Sequence, residues 1–173
     1  MYQEEIKIPK DRIAVLIGTS GKFKSRLSKL TNTKIVIDSK EGIVTLESLD
    51  SMDLYNLVPI IKAIARGFSP GVAELLLNEN CSLEILDMKE FAGNSKKKLL
   101  RLKSRCIGNQ GKARENIEQM TNTHISIYGK TISIIGLIED TTNAKHALEE
   151  LLQGAPHGNV YRRIHERKRI IVT

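Results

Sequence analysis

The 173-residue chain has no Trp, three Phe, four Tyr and two Cys. With so few rings, recognition of nucleobases has to rest on aliphatic packing, hydrogen bonds and phosphate contacts more than on an aromatic platform. Cys81 and Cys106 stand far apart with no other cysteine, which excludes a disulfide framework and a zinc knuckle. The longest unbroken apolar run is Ile13 to Ile17, far short of the roughly 20 residues that span a bilayer. Glu4 and Glu5 stand where a secretory signal would be basic and then apolar. These absences lead to the expectation of a soluble, cytoplasmic protein with reduced thiols and no membrane contact.

Catalytic and cofactor signatures are missing too. No Ser/His/Asp set stands out, and His124, His146 and His157 lack ligand spacing. His165-Glu-Arg-Lys-Arg169 is half of a zinc-protease motif without the second His. A phosphate-binding loop of the nucleotide hydrolases needs four residues between its glycines and a Ser or Thr after its Lys. Here only two residues intervene, and Phe23 or Ala113 follows the Lys. The expectation is a protein without enzymatic activity, metal or cofactor.

Positive charge is what the chain does have. Lys and Arg number 27 against 20 Asp and Glu, a net +7, which favours polyanionic partners. The excess is uneven. Residues 67–94 carry one basic and five acidic side chains, while residues 95–153 carry ten and six. Eight basic residues and no acid lie between Ser95 and Arg114; the matching stretch from Lys10 to Lys29 has six, plus Asp11.

A duplication organises the sequence. Ile17-Gly-Thr-Ser-Gly-Lys22 aligns with Ile107-Gly-Asn-Gln-Gly-Lys112, and the match continues to Ile37 and Ile127, with nine of 21 positions identical. Each copy reads as a short strand, a helix ended by glycine, a second helix and two alternating strands. The strands are Glu5 to Ile8 and Leu83 to Met88, then Lys34 to Asp38 with Ile43 to Glu47, and His124 to Tyr128 with Thr131 to Ile135. An amphipathic helix closes each copy. Pro59 is expected to kink or restart it in the first, and Asp140 or Thr141 to cap it in the second. The order β-α-α-β-β-α, twice, predicts an α+β protein with a three-stranded sheet packed on three helices in each copy. The expected boundaries are 1–66, a helical connector at 67–82 packed between the copies, 83–153, and a basic tail at 154–173.

Two glycines three apart at a helix start let the backbone approach a phosphate, where unpaired N–H groups and the helix dipole favour an anion. A Lys follows in both copies. Ile-Gly-x-x-Gly-Lys, an apolar helix and Thr-x-x-x-Ile-x-Ile resemble the type I KH domain, whose loop clamps about four nucleotides of a single strand. Ala65-Arg-Gly-Phe-Ser-Pro70, His124-Ile-Ser-Ile-Tyr-Gly-Lys130 and Gly154-Ala-Pro-His157 are similar to one subfamily, the archaeal and eukaryotic KH proteins of small ribosomal subunit assembly.

That resemblance implies an RNA-binding assembly factor near the 3′ end of small-subunit rRNA. It also implies contact with a PIN-domain nuclease and, in archaea, with the alpha subunit of initiation factor 2. The first copy in this subfamily often lacks its glycine loop, whereas Gly18-Thr-Ser-Gly21 is intact here. The candidate RNA-binding residues are Gly108, Asn109, Gln110, Gly111, Lys112, Arg114 and Arg105, with Gly18, Thr19, Ser20, Gly21 and Lys22. Alignment offers Ala14, Leu27 and Ile35, and Ser104, Ile117 and Ile125, as groove positions; ordinary core is the competing reading for the apolar ones. A general KH adaptor in RNA decay or translation and a protein-interaction scaffold are the alternative functions.

Overall fold

The computed structural model describes the backbone of residues 1–172 and the side chains through residue 170. Two units, Met1–Glu79 and Asn80–Thr173, make up the chain. The first comprises β1 (Tyr2–Lys7), α1 (Lys10–Ile17), α2 (Lys22–Leu30), β2 (Lys34–Asp38), β3 (Ile43–Ser48), α3 (Ser51–Ala65) and α4 (Pro70–Ala73). The second comprises β4 (Cys81–Asp87), α5 (Lys89–Ala92), α6 (Lys96–Ile107), α7 (Lys112–Thr121), β5 (His124–Tyr128), β6 (Thr131–Leu137), α8 (Ile138–Leu152) and α9 (His157–Val172).

Both sheets are antiparallel with the third strand in the middle, in the orders β1-β3-β2 and β4-β6-β5. Alternation fixes the register, because every second residue must face the helices. Val44 sits opposite Ile6 and Leu46 opposite Ile35; Ile132 sits opposite Leu86 and Ile134 opposite Ile125, and all eight are buried. Leu16, Leu27, Leu57, Ile60 and Ile64 complete the first core, and Leu102, Cys106, Ile117, Ala147, Leu148 and Leu151 the second.

The α3 helix runs unbroken through Pro59, so the expected restart does not occur. Pro59 leaves the Tyr55 carbonyl without its helical donor. Tyr55 and Asn56 are exposed, however, so water can serve that carbonyl while buried Leu57, Ile60 and Ile61 hold the helix to the core. In the second copy the helix starts at Ile138, ahead of the expected caps. Thr141 is buried in its first turn, donating to the Ile138 carbonyl and bonding Ser82 across 2.7 Å. The short α5 helix, absent from the first unit, had no counterpart in the expected order.

The connector and the tail also differ from expectation. The α4 helix and the 3-10 turn Glu74–Leu77 after it pack on α3, with Ala73 buried, and Glu74 pairs with Arg26 of α2. The connector thus belongs to the first unit. The expected tail instead forms α9, which packs on α8 through Val160 and Ile164, both fully buried. Apolar residues one turn apart made docking favourable despite the surrounding charge. The closing helices α3 and α8 are offset by 87 residues, and at that offset the connector is the first unit's counterpart of α9.

Much of the tail's positive charge is spent on this docking. Arg163 Nη1 donates to Glu150 across 2.7 Å, and Arg167 donates to the other oxygen of the same carboxylate. Burial works to raise the Glu150 carboxyl, but hydrogen bonds from Arg163 and Arg167 outweigh it and hold the group below its ordinary value of 4.5. A carboxyl depressed in the folded state stabilises the fold above its unfolded value and loses that contribution as pH falls through the folded value. The second unit is therefore expected to lose melting temperature as pH drops below about 4.5. Glu150→Gln should start lower at neutral pH and show a shallower acid decline, as read from thermal melts at stepped pH.

Candidate nucleic-acid interface

The two glycine loops have the same backbone. Gly18 lies at φ 73°, ψ 176° and Gly108 at φ 74°, ψ −179°; Ser20 and Gln110 both lie at φ 54°, ψ 30°; Gly21 and Gly111 lie at φ 73° and 79°. Each first glycine closes the preceding helix, Gly18 N–H donating to Ala14 O and Gly108 N–H to Ser104 O. Each second glycine opens the next helix.

The glycines are needed for different reasons. A Cβ on Gly18 would lie 2.6 Å from Phe23 Cβ, and one on Gly108 would lie 2.6 Å from both the Ala113 backbone N and its Cβ. The first glycine thus permits close approach of the next helix. Gly21 and Gly111 have no atom within 4 Å of such a Cβ, so positive φ alone demands them there. Space outside the second glycine is what an incoming phosphate would occupy. Thr19 and Ser20, and Asn109 and Gln110, are exposed at the loop apex.

Lys22 and Lys112 are exposed, with no side-chain hydrogen bond or ion pair among the described residues. Arg114 is committed in part: its Nε lies 3.9 Å from Glu118 and has no hydrogen-bond partner, while Glu118 Oε1 accepts from Ile125 N across 2.7 Å. The i,i+4 spacing of Arg114 and Glu118 was the signal for this pair.

Arg105 is not available as expected. Its Nε donates to Leu151 O across 3.2 Å and its Nη2 to Ala155 O across 2.6 Å, while its own carbonyl bonds His157 Nε2 at 2.8 Å. The guanidinium fork ties the last turn of α8, where Leu151 O also accepts from Gly154 N–H, to the turn beyond it, where Arg105 is the donor to Ala155 O. Arg12 does the same in the first unit, to Ile64 O and Phe68 O at 2.8 and 2.6 Å. Ile64 and Leu151 are equivalent, as are Phe68 and Ala155, yet the two arginines come from adjacent turns of their helices. No alignment of the copies could have paired them.

The groove positions divide. Ala14 and Ser104 are exposed, as a groove wall needs, but Leu27, Ile35, Ile117 and Ile125 are buried core. Two residues further along the same strand faces, Ile37 and Ile127 keep accessible surface. The repeated Thr-Asn-Thr is a helix terminator. Asn32 and Asn122 take left-handed φ of 47° and 54°, Thr33 N–H returns to Ser28 O and Thr123 N–H to Glu118 O, and the flanking threonines are buried. It sets where β2 and β5 begin.

Burial, only partly offset by Arg105, pushes the Cys106 thiol up to about 12, so it is no nucleophile at neutral pH. No group of His, Cys, Asp and Glu among the described residues could hold a metal ion, and no helix there is long and apolar enough to cross a membrane.

Comparison with known proteins places this geometry. A model described as the eukaryotic type KH domain (KH domain type I) matches residues 82–169, and a KH domain model matches residues 3–52. KH domain-containing protein MJ0443 of Methanocaldococcus jannaschii is 39% identical over 163 residues, 92% of this chain and 71% of that protein. Pre-rRNA-processing protein pno1 of Aspergillus fumigatus is 27% identical, across 91% of this chain and 65% of that protein. Among solved structures, a complex of the initiation factor 2 alpha subunit, Dim2p and rRNA from Pyrococcus horikoshii contains a chain 44% identical to this one. It matches with a TM-score of 0.88 over 97% of this chain and 94% of that chain.

Proposed function

Since the chain belongs to the family of tandem KH proteins that includes Pno1 and Dim2, we propose that it binds single-stranded rRNA, without catalysis and in the cytoplasm, during small ribosomal subunit assembly. The 3′ end of small-subunit rRNA is its target in this reading. The observation that carries it is the pair of glycine loops in matching strained conformations, each with open space at its second glycine and, after it, an exposed Lys with no side-chain partner among the described residues.

Gly108, Asn109, Gln110, Gly111, Lys112 and Arg114 form the main clamp, and Gly18, Thr19, Ser20, Gly21 and Lys22 a weaker second one. Arg105 supports the first from behind. The initiation factor 2 alpha subunit is a proposed protein partner, supported by the composition of the Pyrococcus complex. A PIN-domain nuclease is proposed on the family resemblance alone.

Bases must be splayed to enter a KH groove. An unpaired segment should therefore bind at least roughly tenfold more tightly, about 1.4 kcal/mol, than the same sequence within a hairpin stem. Fluorescence anisotropy on both forms checks this. Equal affinities would reduce the interaction to adhesion by a +7 surface.

A further inference from the structure

The first unit carries an apolar stripe that its core does not use. Leu49, Met52 and Tyr55, spaced three apart from just past β3 into α3, are 83%, 57% and 73% exposed. The fold does not demand apolar side chains there, because the positions of α8 equivalent to Met52 and Tyr55 hold Glu139 and Thr142. An exposed apolar patch rimmed by polar residues marks an interaction site. Leu49 also lines a cleft of about 400 Å³ together with Asn32 and Ser48. Lys34, another lining residue, is already paired with Glu47 across 2.8 Å.

The surroundings set the charge of what can dock. No Lys, Arg or His occurs from residue 41 to residue 61, a stretch that holds Glu41, Glu47, Asp50 and Asp53; Lys62, in the last turn of α3, is the first cation beyond it. Asp50 Oδ1 caps α3 by accepting from Met52 N–H at 2.9 Å, and Asp53 Oδ2 accepts from Ser48 Oγ at 2.7 Å. The second oxygen of each carboxylate has no hydrogen bond among the described residues. Pro59 adds another acceptor, since it has no N–H to offer the exposed Tyr55 carbonyl. The Tyr55 ring attracts cations through its face. All these features favour positive charge and disfavour a phosphate backbone.

We propose that Leu49, Met52 and Tyr55, with Asp50 and Asp53, form a docking surface of the first unit for a Lys- and Arg-rich segment of a protein partner. Its cations pair with the open carboxylate oxygens and the Tyr55 carbonyl, and its apolar side chains cover the stripe and enter the cleft at Leu49. The surface goes beyond RNA binding: on a chain of net +7 it is a face that RNA avoids, so RNA and the basic segment do not compete for it.

The test uses the full chain and a fluorescein-labelled peptide in which leucines interrupt a run of Arg and Lys, with a control peptide carrying Glu at every cationic position. The parent should bind the cationic peptide and not the control, with NMR amide shifts centred on residues 32–34 and 48–56. Met52→Gln/Tyr55→Gln changes two exposed side chains to another good helix former, so it should melt as the parent does. It should bind the cationic peptide at least roughly tenfold more weakly. Asp50→Asn/Asp53→Asn keeps neutral acceptors at the cap and should reduce the salt dependence of peptide binding. Affinity for single-stranded RNA should be the same in the parent and both variants. Absence of peptide binding by the parent, equal binding by both variants, or shifts centred elsewhere would overturn the surface. A loss of RNA affinity in the Gln variant would make the face an RNA contact and overturn it as well. So would a parent dimer that the Gln variant abolishes in sedimentation, which would give the face to a second copy.

Discussion

Gly111→Asp is expected to cut single-stranded RNA affinity sharply while the chain stays folded. A Cβ at Gly111 meets nothing within 4 Å, so its cost is that of a side chain at φ 79°, where Asp is among the better tolerated residues. The carboxylate would point where a phosphate should lie. Two unit charges about 4 Å apart repel by about 1 kcal/mol in water and about 4 kcal/mol in a partly shielded site, or roughly fivefold to several hundredfold in affinity.

Gly111→Asn, uncharged and equally suited to left-handed backbone, should bind far closer to the parent. Gly108→Asp makes the contrast, because its Cβ would press on the Ala113 backbone at 2.6 Å and should lower the melting temperature as well. Gly21→Asp should cost less affinity than Gly111→Asp, since six basic residues rather than eight surround the first loop. Binding by Gly111→Asp equal to the parent's would end the clamp reading of that loop. Equal losses from Gly21→Asp would make the first loop a full RNA site.

Arg105→Ala should act on stability instead. It removes the donors to Leu151 O, which keeps the Gly154 N–H, and to Ala155 O in the turn after α8, which is left without its donor in partly buried surroundings. Hydrogen bonds from charged groups contribute about 1.5–3 kcal/mol, and an abandoned buried acceptor costs about 1–3 kcal/mol. A net loss of about 2–3 kcal/mol would lower the melting temperature of a unit this size by roughly 10–20 °C. Arg105→Lys should recover little, because a single ammonium cannot fork to two carbonyls. The salt slope of RNA binding should not move. A slope flattened by about 0.7 with unchanged melting would instead put the guanidinium on a phosphate.

Arg105 shows where reading the sequence stops. Its place three residues before the loop, in a run of basic residues, gives it the same appearance as Lys112. Only the packing of α6 beside the end of α8 turns it inward. The tail poses the same problem, since Arg163 and Arg167 read as free charge until α9 docks and Glu150 comes within reach. Long-range partners of a long, flexible cation are set by tertiary contacts, and no local pattern encodes them.

Local pattern did determine the duplication, the β-α-α-β-β-α order shared by the copies and the two glycine loops, though not α5 or α9. Period-two and helical apolar spacings are written residue by residue, and a glycine at positive φ has few substitutes. The same spacings could not separate Leu27, Ile35, Ile117 and Ile125 as core from the groove surface beside them. An apolar side chain on the helix-facing side of a strand looks alike whether another helix covers it or a ligand does. The tertiary structure decided that, and it decided which charges stay free. Lys22 and Lys112 stand exposed at the first positions of α2 and α7 with no side-chain partner among the described residues, whereas the Arg12 and Arg105 forks each reach one carbonyl in the last turn of the closing helix and a second in the turn beyond it.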